Sequence, residues 1–504
     1  MLDIPHEECR GMNGEDANST LHDKFATAVT MGKDTMKFKR SERFEEIFEI
    51  EHASELCCYS ANDVQLWPAI RTKIYSLVTS AEMGYSKAHA VSSIWNILNP
   101  KYIADVFDTG SFFLSQDGYY DSVFFTTARY LQYDREKKVY YNSFFQPYYN
   151  LFSDPLIFEA SYKFDIKKPR EFETSTFLND YLIFGSIIKS SGLRITSNKI
   201  DSTLSKFARQ ICMLYSIPNL YATVYNTLRR EVYSAIYLEH YVDRIVSHMN
   251  GNSAFVHCAS YMGDTGVITK RFKEHGVSTI ELQHGYVGPE HYAYNYPSGN
   301  ADRAMKDYLP DYYLTFGKYW GEQIQTPSTI VTVGNPTLNN SADDLQKEVS
   351  PQSNSILVVS QGTVTAKMVK IAKYLSQALP KHTIMFKLHP GEVPFTQRYE
   401  DLKKYHNVQI RTYDNIYELI ASSEIIVGYN STTLFEAVAF DGKRIFILNN
   451  DLIPDSLGYK FSSCEELCDA ILDGESGYPS AQPSYFWEPD WETNIASFLK
   501  SLSL

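Results

Sequence analysis

Short apolar runs alternate with amphipathic stretches over most of the chain, but the first 40 residues show no hydrophobic period. We expect residues 1–40 to form a flexible N-terminal tail. A long helix is predicted between residues 226 and 249, because apolar residues recur at helical spacing and Gly251 lies just past them. Runs that favour strands occupy residues 123–127, 139–141, 254–260, 277–283, 312–316 and 329–333, with a helix predicted at 266–275. A strand, a crossover helix and a second strand in this order indicate a parallel sheet.

A second series of strands and helices follows residue 355. Its apolar runs are nearly continuous, which is typical of strands buried on both faces of a doubly wound sheet. We expect an α/β protein with two Rossmann-like domains whose parallel sheets face each other across a cleft. The strands are predicted at residues 356–360, 383–388, 408–411, 424–427 and 444–448, and the helices at 366–379, 416–421 and 433–440.

The domain boundaries follow from these two series. Gly334-Asn335-Pro336 is a turn signal at the end of the first series, and the polar residues after it predict an irregular linker. The predicted organisation is an N-terminal domain with helical additions at 41–338, a linker at 339–355, a C-terminal domain at 356–486 and a terminal helix within 487–504.

Composition and charge narrow the classes of partner and compartment. The formal net charge of −13 disfavours nucleic acid, because such a surface repels phosphates. Seven cysteines in 504 residues do not form a disulfide framework, and Cys464 and Cys468 lack a second pair to complete a zinc site. Because no window approaches the ~18 apolar residues of a membrane span, we expect a cytoplasmic protein, at most peripheral at the inner face of the membrane.

Candidate donor-binding residues follow three strands of the second series, since ligands bind beyond the carboxyl ends of parallel strands. The segment GYNSTTLFEA places small hydroxyl side chains at a predicted helix N-terminus, which can wrap a phosphate. Thr433 and Glu436 also fit a capping box that needs no ligand. His389 offers an imidazole to a diphosphate oxygen, and its structural alternative is a hydrogen bond to a loop carbonyl. The structural alternative for Glu392 is a solvated acid in the loop. Donor contacts are expected from Gly362, Thr363, Lys387, His389, Glu392, Ser431, Thr432, Thr433 and Glu436.

Two candidate general bases follow strands of the first series. His284 comes after the strand at 277–283, and Asp264 comes after the strand at 254–260. Either could take a proton from an acceptor hydroxyl if the two sheets face each other, while a helix cap is the structural alternative for Asp264. His257 lies inside a predicted strand and is expected to be a satisfied core residue. Glu290 and His291 lie in the loop after His284, where they could touch acceptor or donor.

Several catalytic motifs are absent from the sequence. It contains no P-loop, GxGxxG, HExxH or GxSxG, which weakens the ATPase, dehydrogenase, zinc-protease and serine-hydrolase interpretations. No Asp-x-Asp motif follows a convincing strand end. We therefore expect metal-independent chemistry with no cofactor besides the substrates.

A family resemblance is carried by short segments in a fixed order. KLHPGE (387–392) resembles the His-Pro motif of bacterial capsule and surface-polysaccharide transferases, and VGYNSTTLFEAVAFDGKRIFIL (427–448) resembles their Ser/Thr and Glu donor-binding region. LQHGYVGPEHYAY (282–294) is similar to a first-domain segment of capsule and O-antigen transferases. VTVGNPTLN (331–339) resembles the end of the first domain in GT-B proteins, and LWPAIR (66–71) looks like an element of uncharacterised members. The resemblance covers about residues 254–450.

This resemblance implies a GT-B glycosyltransferase of surface-polysaccharide synthesis. It implies a nucleotide-sugar donor held mainly by the C-terminal domain and a glycan or lipid-linked glycan acceptor at the N-terminal domain. His389 would bind the donor phosphate or nucleotide, the hydroxyls of residues 431–433 would hold phosphate, and Glu436 would hold ribose or sugar hydroxyls. The nucleotide stays open among CMP, CDP, UDP and GDP, because Thr432 and Thr433 follow Ser431 where sialyltransferase-like members often have a second serine. The alternatives are a glycerophosphotransferase or a nucleotide-sugar 2-epimerase of the same fold, and a non-enzymatic scaffold.

Overall fold

The computed structural model describes residues 41–54, 56–82, 99–115, 119–162, 164–172, 175–176, 198–297, 305–362 and 364–502. The tail predicted at residues 1–40 and the candidate residue Thr363 lie outside the described residues.

Parallel strands form the core of the N-terminal part. Its strands are β1 (Ser60–Ala61), β2 (Val64–Gln65), β3 (Ser122–Thr127), β4 (Leu131–Asp134), β5 (Val139–Asn142), β6 (Pro155–Ala160), β7 (Ser175–Thr176), β8 (Ser253–Val256), β9 (Ser278–Leu282), β10 (Tyr312–Thr315) and β11 (Thr329–Thr332). Seven of them form one sheet in the order β11-β10-β9-β8-β3-β6-β7, and every pair in it is parallel. The central strands β3 and β8 are buried on both faces, as their continuous apolar runs predict.

Helices surround this first sheet. They are α1 (Glu42–Ala53), α2 (Leu66–Glu82), α3 (Pro100–Ser115), α4 (Gln146–Tyr149), α5 (Asn198–Leu214), α6 (Tyr221–Val246), α7 (Asp264–Glu274) and α8 (Lys318–Glu322). The long helix α6 packs its apolar face, including Leu228, Val232 and Val242, into a core shared with α2, α5 and α7.

The C-terminal part contains a second parallel sheet. Its helices are α9 (Pro336–Glu348), α10 (Thr365–Ala378), α11 (Ile416–Ser422), α12 (Thr432–Glu436), α13 (Cys464–Leu472), α14 (Pro483–Phe486) and α15 (Trp491–Leu502). Its strands are β12 (Ser355–Val359), β13 (Thr383–Lys387), β14 (Val408–Arg411), β15 (Ile425–Gly428), β16 (Arg444–Leu448) and β17 (Tyr459–Phe461), in the order β14-β13-β12-β15-β16-β17. The three strands that precede the candidate donor residues, β13, β12 and β15, are therefore neighbours at the centre of the sheet.

The segment predicted to be an irregular linker begins with a helix. Asn335 accepts hydrogen bonds from the backbone N–H groups of Thr337 and Leu338, and Pro336 occupies the first turn of α9. The predicted turn signal Gly334-Asn335-Pro336 thus leads into a helix, because a capping asparagine and a proline at N1 are both favoured at a helix start. Only residues 349–354 of the predicted linker lack regular structure.

The terminal helix returns to the first domain. Trp491, Ile495 and Phe498 of α15 join Phe124 and Phe255 in one hydrophobic cluster on the first sheet. The C-terminal segment therefore crosses from the second sheet back to the first and ties the two domains together.

A second contact between the domains is built from loops that follow strands. Phe435, after β15, contacts the rings of Tyr319 and Trp320, after β10, at centroid distances of 5.4 and 4.7 Å. The Tyr286 hydroxyl, after β9, donates a hydrogen bond of 3.1 Å to the carbonyl of Leu452, after β16. Loops at the carboxyl ends of both sheets thus meet, so the two sheets face each other by these ends. This confirms the predicted fold class, an α/β protein of GT-B architecture. No helix within the described ranges is both long and apolar enough to cross a membrane.

Candidate functional site

His389 lies at the carboxyl edge of the second sheet with one ring nitrogen already engaged. Its Nδ1 accepts a hydrogen bond of 3.1 Å from the Gly391 N–H. An acceptor Nδ1 fixes the neutral tautomer, with the proton on Nε2. Burial lowers the pKa of His389, Glu392 opposes that shift, and the charges of Arg129 and Lys387 add to it. With Nδ1 acting as the acceptor, Nε2–H is the donor that the side chain offers at this edge.

Glu392 is a structural residue, which corrects its prediction as a donor ligand. Its Oε1 accepts hydrogen bonds from the hydroxyls of Ser360, Thr365 and Tyr399 at 3.2, 2.7 and 2.6 Å. Its Oε2 accepts one from the His389 N–H at 3.1 Å, and the residue is buried. With both oxygens occupied, the carboxylate holds the His389 loop against α10 rather than facing a ligand.

Lys387 is also committed to the protein. Its buried amino group donates hydrogen bonds to the carbonyls of Thr412 and Leu388. Burial lowers its pKa, because a desolvated ammonium is less stable. The prediction of a donor contact is corrected: Lys387 joins the ends of β13 and β14. Gly362 is exposed beside the side chain of Glu392 and stays a candidate.

The GYNSTTLFEA segment forms a helix start, but with a different cap from the one predicted. Ser431 is the N-cap, and its hydroxyl accepts a hydrogen bond of 3.3 Å from the Thr433 N–H. The predicted capping box does not form, since Thr433 is buried inside the helix and the position three residues after the cap is Leu434. Helix α12 has only five residues, so its dipole is small.

Glu436, which the capping box would have used, lies instead beside Thr433 and Tyr417. Burial raises its pKa to about 7, although contacts with the hydroxyls of Thr433 and Tyr417 lower it in part. Near neutral pH the carboxyl is therefore partly protonated, so it can either donate or accept a hydrogen bond. Such a group suits a ligand with several hydroxyls.

Three imidazoles and one thiol lie at the carboxyl edge of the first sheet. The His257 and His284 rings are 4.8 Å apart, and the Cys258 sulfur is 3.3 Å from Nε2 of His257 and 3.8 Å from Nε2 of His284. The His291 Nε2 lies 3.1 Å from the Tyr261 hydroxyl. Burial lowers the pKa of His257 to about 3, and those of His284 and His291 to about 4.

The expectation that His257 is a satisfied core residue is wrong, because its Nδ1 is buried and finds no partner among the described residues.

The segment Leu66–Arg71 supports the loop that carries His291. The Arg71 guanidinium donates to both carboxylate oxygens of Glu51, at 2.7 and 2.9 Å, and to the carbonyls of Tyr292 and Asn295 at 2.6 and 2.9 Å. Trp67 Nε1 donates to Glu51 as well, at 2.7 Å. This buried ion pair fixes α1 and α2 to the loop and explains the LWPAIR motif in structural terms.

Asp264 does not join the imidazoles. It is the first residue of α7, whose N-cap is Gly263, and no side-chain hydrogen bond caps this helix. Its charged neighbours are Lys73 of α2 and Arg230 and Glu231 of α6. Both predictions for Asp264, a general base and a helix cap, lose support, because its side chain belongs with the outer helices.

Arg129 is the residue that the sequence reasoning missed. It is exposed just after the carboxyl end of β3. Burial is the largest cause of the lowered pKa of His284, and the positive charge of Arg129 is the second largest. The same charge also lowers the pKa of His389 in the other domain. The guanidinium thus lies within electrostatic reach of both sheet edges, and no carboxylate among the described residues pairs with it. Arg129 follows the strand predicted at 123–127, so the preference of ligands for the carboxyl ends of parallel strands already indicates it as a candidate.

Unsatisfied polar atoms and a cavity mark the space between the edges. Buried side-chain atoms without a partner among the described residues include Nδ1 of His284 and His291 on one side, and Oε1 of Gln361 and Oδ1 of Asn430 on the other. Buried polar groups normally have partners, so these atoms are candidates for contacts with a ligand. The domains enclose a cavity of about 280 Å³ that is lined, among others, by Phe44, Tyr286, His291, Tyr292, Asn430 and Leu452.

Solved structures with a similar chain path include epimerases and glycosyltransferases. The UDP-GlcNAc 2-epimerase of Neisseria meningitidis, bound to UDP-GlcNAc, is 11% identical, and the match covers 75% of this chain and 100% of that one with a TM-score of 0.42. The UDP-glucosyltransferase of Polygonum tinctorium is 12% identical over 77% of this chain and 94% of that one, with a TM-score of 0.35. A glycosyltransferase of Rickettsia africae is 13% identical over 77% and 99%, with a TM-score of 0.39. No protein-family model matches the chain, and no curated protein matches it significantly. TM-scores below 0.5 leave the assignment of function to the geometry of the cleft.

Proposed function

We propose that this chain is a glycosyltransferase that moves a sugar from a nucleotide-sugar donor to a hydroxyl group of a glycan acceptor. The observation that carries the proposal is the arrangement around the cleft: Arg129 of the first sheet and His389 of the second offer donors for an anion, and neutral imidazoles lie at the same sheet edge as Arg129. A nucleotide sugar needs this combination, because its reaction builds negative charge on the departing phosphate and releases a proton from the acceptor.

The donor would be held mainly by the second domain. A diphosphate would take charge-assisted hydrogen bonds from Arg129 and from Nε2–H of His389. The hydroxyls of Ser431 and Thr432 at the start of α12 would add further contacts to the phosphates. Glu436 would bind ribose or sugar hydroxyls, and Asn430 would use its unsatisfied Oδ1 in the same way.

The acceptor would bind at the imidazole edge. Its hydroxyl proton passes to His284, the oxygen attacks the anomeric carbon, and the bond from that carbon to the phosphate oxygen breaks. Arg129 and His389 stabilise the charge left on the nucleotide.

The proposed acceptor and compartment rest on the resemblance of the KLHPGE and VGYNSTTLFEA segments to motifs of surface-polysaccharide transferases. On that basis, we propose that the acceptor is a glycan or lipid-linked glycan in the synthesis of a bacterial capsule or O-antigen. The enzyme would then act in the cytoplasm or at the inner face of the membrane. The donor chemistry is proposed to be independent of metal ions, because Arg129 and His389 already meet the phosphate charge.

The test is a panel of CMP-, CDP-, UDP- and GDP-linked donors. Thermal shift first identifies the nucleotide that stabilises the chain, and product analysis then compares donor alone with donor plus acceptor glycans. A product that requires the acceptor and is lost in the His284→Ala variant supports the proposal. Conversion of the donor alone would instead identify an epimerase, transfer of glycerol phosphate would identify the other transferase class, and no stabilisation by any nucleotide would favour a scaffold.

A further inference from the structure

The His257–Cys258–His284 cluster has the separations of a transition-metal site. One donor atom from each residue lies within 4.8 Å of the other two. Zinc bonds of about 2.0 Å to nitrogen and about 2.3 Å to sulfur place the two atoms about 3.6 Å apart in a tetrahedral site. The observed sulfur–nitrogen distances of 3.3 and 3.8 Å lie on either side of that value.

The backbone holds the cysteine in place for such a site. Cys258 has a φ of 56° and a ψ of 33°, a left-handed conformation that costs energy for a residue with a side chain. The conformation is maintained by hydrogen bonds to the Cys258 carbonyl from the Tyr261 N–H and the Thr265 hydroxyl, at 3.0 and 3.1 Å. It places the sulfur between the two imidazoles, although a glycine would adopt this turn at lower cost.

Aromatic neighbours hold the His257 ring in place. The His257 ring meets the rings of Tyr130 and Phe145 edge to face, at centroid distances of 5.8 and 5.4 Å. Its Nδ1, like that of His284, is buried and has no partner within the described parts of the chain. Because the Cys258 sulfur lies beside Nε2 of both rings, an ion in the cluster would bind the Nε2 atoms and leave the ring proton on Nδ1. All three residues are only half-buried, so an ion can reach them.

We propose that His257, Cys258 and His284 bind one Zn²⁺ ion at the edge of the cleft, with the fourth coordination position open. Two nitrogens and a thiolate favour zinc over harder cations such as Mg²⁺ or Ca²⁺. The thiolate, with Glu281 nearby, offsets the positive charge of the ion and of Arg129. Three protein ligands with an open position are the arrangement of catalytic rather than structural zinc sites.

The zinc site goes beyond the proposed function and would change one of its roles. An ion on Nε2 of His284 takes the lone pair that would otherwise accept the acceptor proton. A water or acceptor hydroxyl at the open position would then lose its proton more readily, and His291, which also lines the cavity, would be the remaining imidazole of the edge. The predicted independence from metals would still apply to the donor phosphates.

The experiment measures metal directly in the untagged full chain. After removal of metal with a chelator, the chain is incubated with Zn²⁺ and desalted, and bound zinc is quantified by mass spectrometry. We expect about one zinc per chain, and a zinc affinity at least about 100-fold lower for Cys258→Ser and His257→Gln, since loss of outer-shell contacts alone costs 10–100-fold. Cys464→Ser and His406→Gln, at a half-buried and an exposed position elsewhere, are the matched controls and should bind as the unaltered chain does.

Substitution with Co²⁺ gives a second readout that needs only the unaltered chain. A thiolate–cobalt bond produces a charge-transfer absorption band in the near ultraviolet, which the unaltered chain should show. A chain that retains no zinc and shows no such band would overturn the proposal, as would a folded Cys258→Ser variant with unchanged affinity. Zinc binding without sugar transfer would leave this site in place while rejecting the proposed function, so the two failures are distinguishable.

Discussion

Arg129 would supply a positively charged hydrogen-bond donor to the proposed donor site. Replacing it with methionine keeps the length of the side chain but removes a charged donor worth about 1.5–3 kcal/mol. We expect the affinity for a nucleoside diphosphate to fall by about 10- to 150-fold in isothermal titration calorimetry. Arg135→Met, in the exposed turn between β4 and β5, is the matched control. An unchanged affinity in the Arg129 variant would remove this residue from the site.

Glu436 gives the site a pH dependence of known sign. Because burial raises its pKa to about 7, the carboxylate that accepts hydrogen bonds from ribose hydroxyls forms only above that pH. Donor affinity should therefore increase between about pH 6 and pH 8. The Glu436→Gln variant should bind with an affinity that does not vary over this range. An equally steep profile in that variant would assign the dependence to another group.

The same shift affects stability. The folded chain keeps a proton on Glu436 that the unfolded chain has already lost, so the folded state binds more protons between the ordinary glutamate pKa of 4.5 and about 7. The free energy of unfolding should decrease as the pH rises through this interval. Urea denaturation at pH 5 and pH 7.5 would measure it, and Glu436→Gln should reduce the difference.

Only some of the candidate site residues could be predicted from the sequence. His284 and His389 were selected because a polar residue after an apolar strand is visible in the sequence, and both stay candidates. Lys387 and Glu392 stand in equally suggestive places, but they bond to Thr412 and Tyr399, partners that no local pattern identifies. Arg129 follows a strand in the region where the resemblance is weakest, and its relation to His389 depends on how the two domains meet.

At the scale of elements, the loop after β9 depends on the buried pair Arg71–Glu51. Removing one partner of a buried, hydrogen-bonded ion pair costs about 3–5 kcal/mol, because the other charge is left without compensation. We expect Arg71→Met to lower the free energy of unfolding by that amount in urea titrations. The double variant Arg71→Met/Glu51→Gln should be less destabilised than Arg71→Met alone. If the double variant were the less stable of the two, the ion pair would not explain the cost.

The predicted strands, except the one at 254–260, agree with observed strands within one residue, because apolar runs bounded by polar turns are strong signals, but β6 and β17 were among the strands not predicted. The errors have local causes. The polar face of α9 concealed a helix whose start is set by Asn335 and Pro336, and the cap of α12 shifted from Thr433 to Ser431. In both cases the side-chain oxygen that receives the backbone N–H decides where the helix begins, and the sequence offers several candidates.

At the scale of the whole molecule, the alternation of strands and helices was sufficient to predict two parallel sheets. It could not show that α15 crosses back to the first sheet, or that Tyr286 and Leu452 join the loops of the two domains. These long-range contacts decide which strand ends face each other. The cleft, with its unsatisfied atoms, is a property of this assembly rather than of either half.

The central claim is that residues of both sheets bind one anionic ligand between them. A double-mutant cycle on Arg129→Met and His389→Ala tests it most directly, with calorimetric affinities for the nucleoside diphosphate that binds best in the panel. Both single variants should bind more weakly, and the two losses should be non-additive by at least about 0.5 kcal/mol, as expected for groups that contact the same ligand. Independent, additive effects, or an effect of only one of the two substitutions, would contradict the shared site.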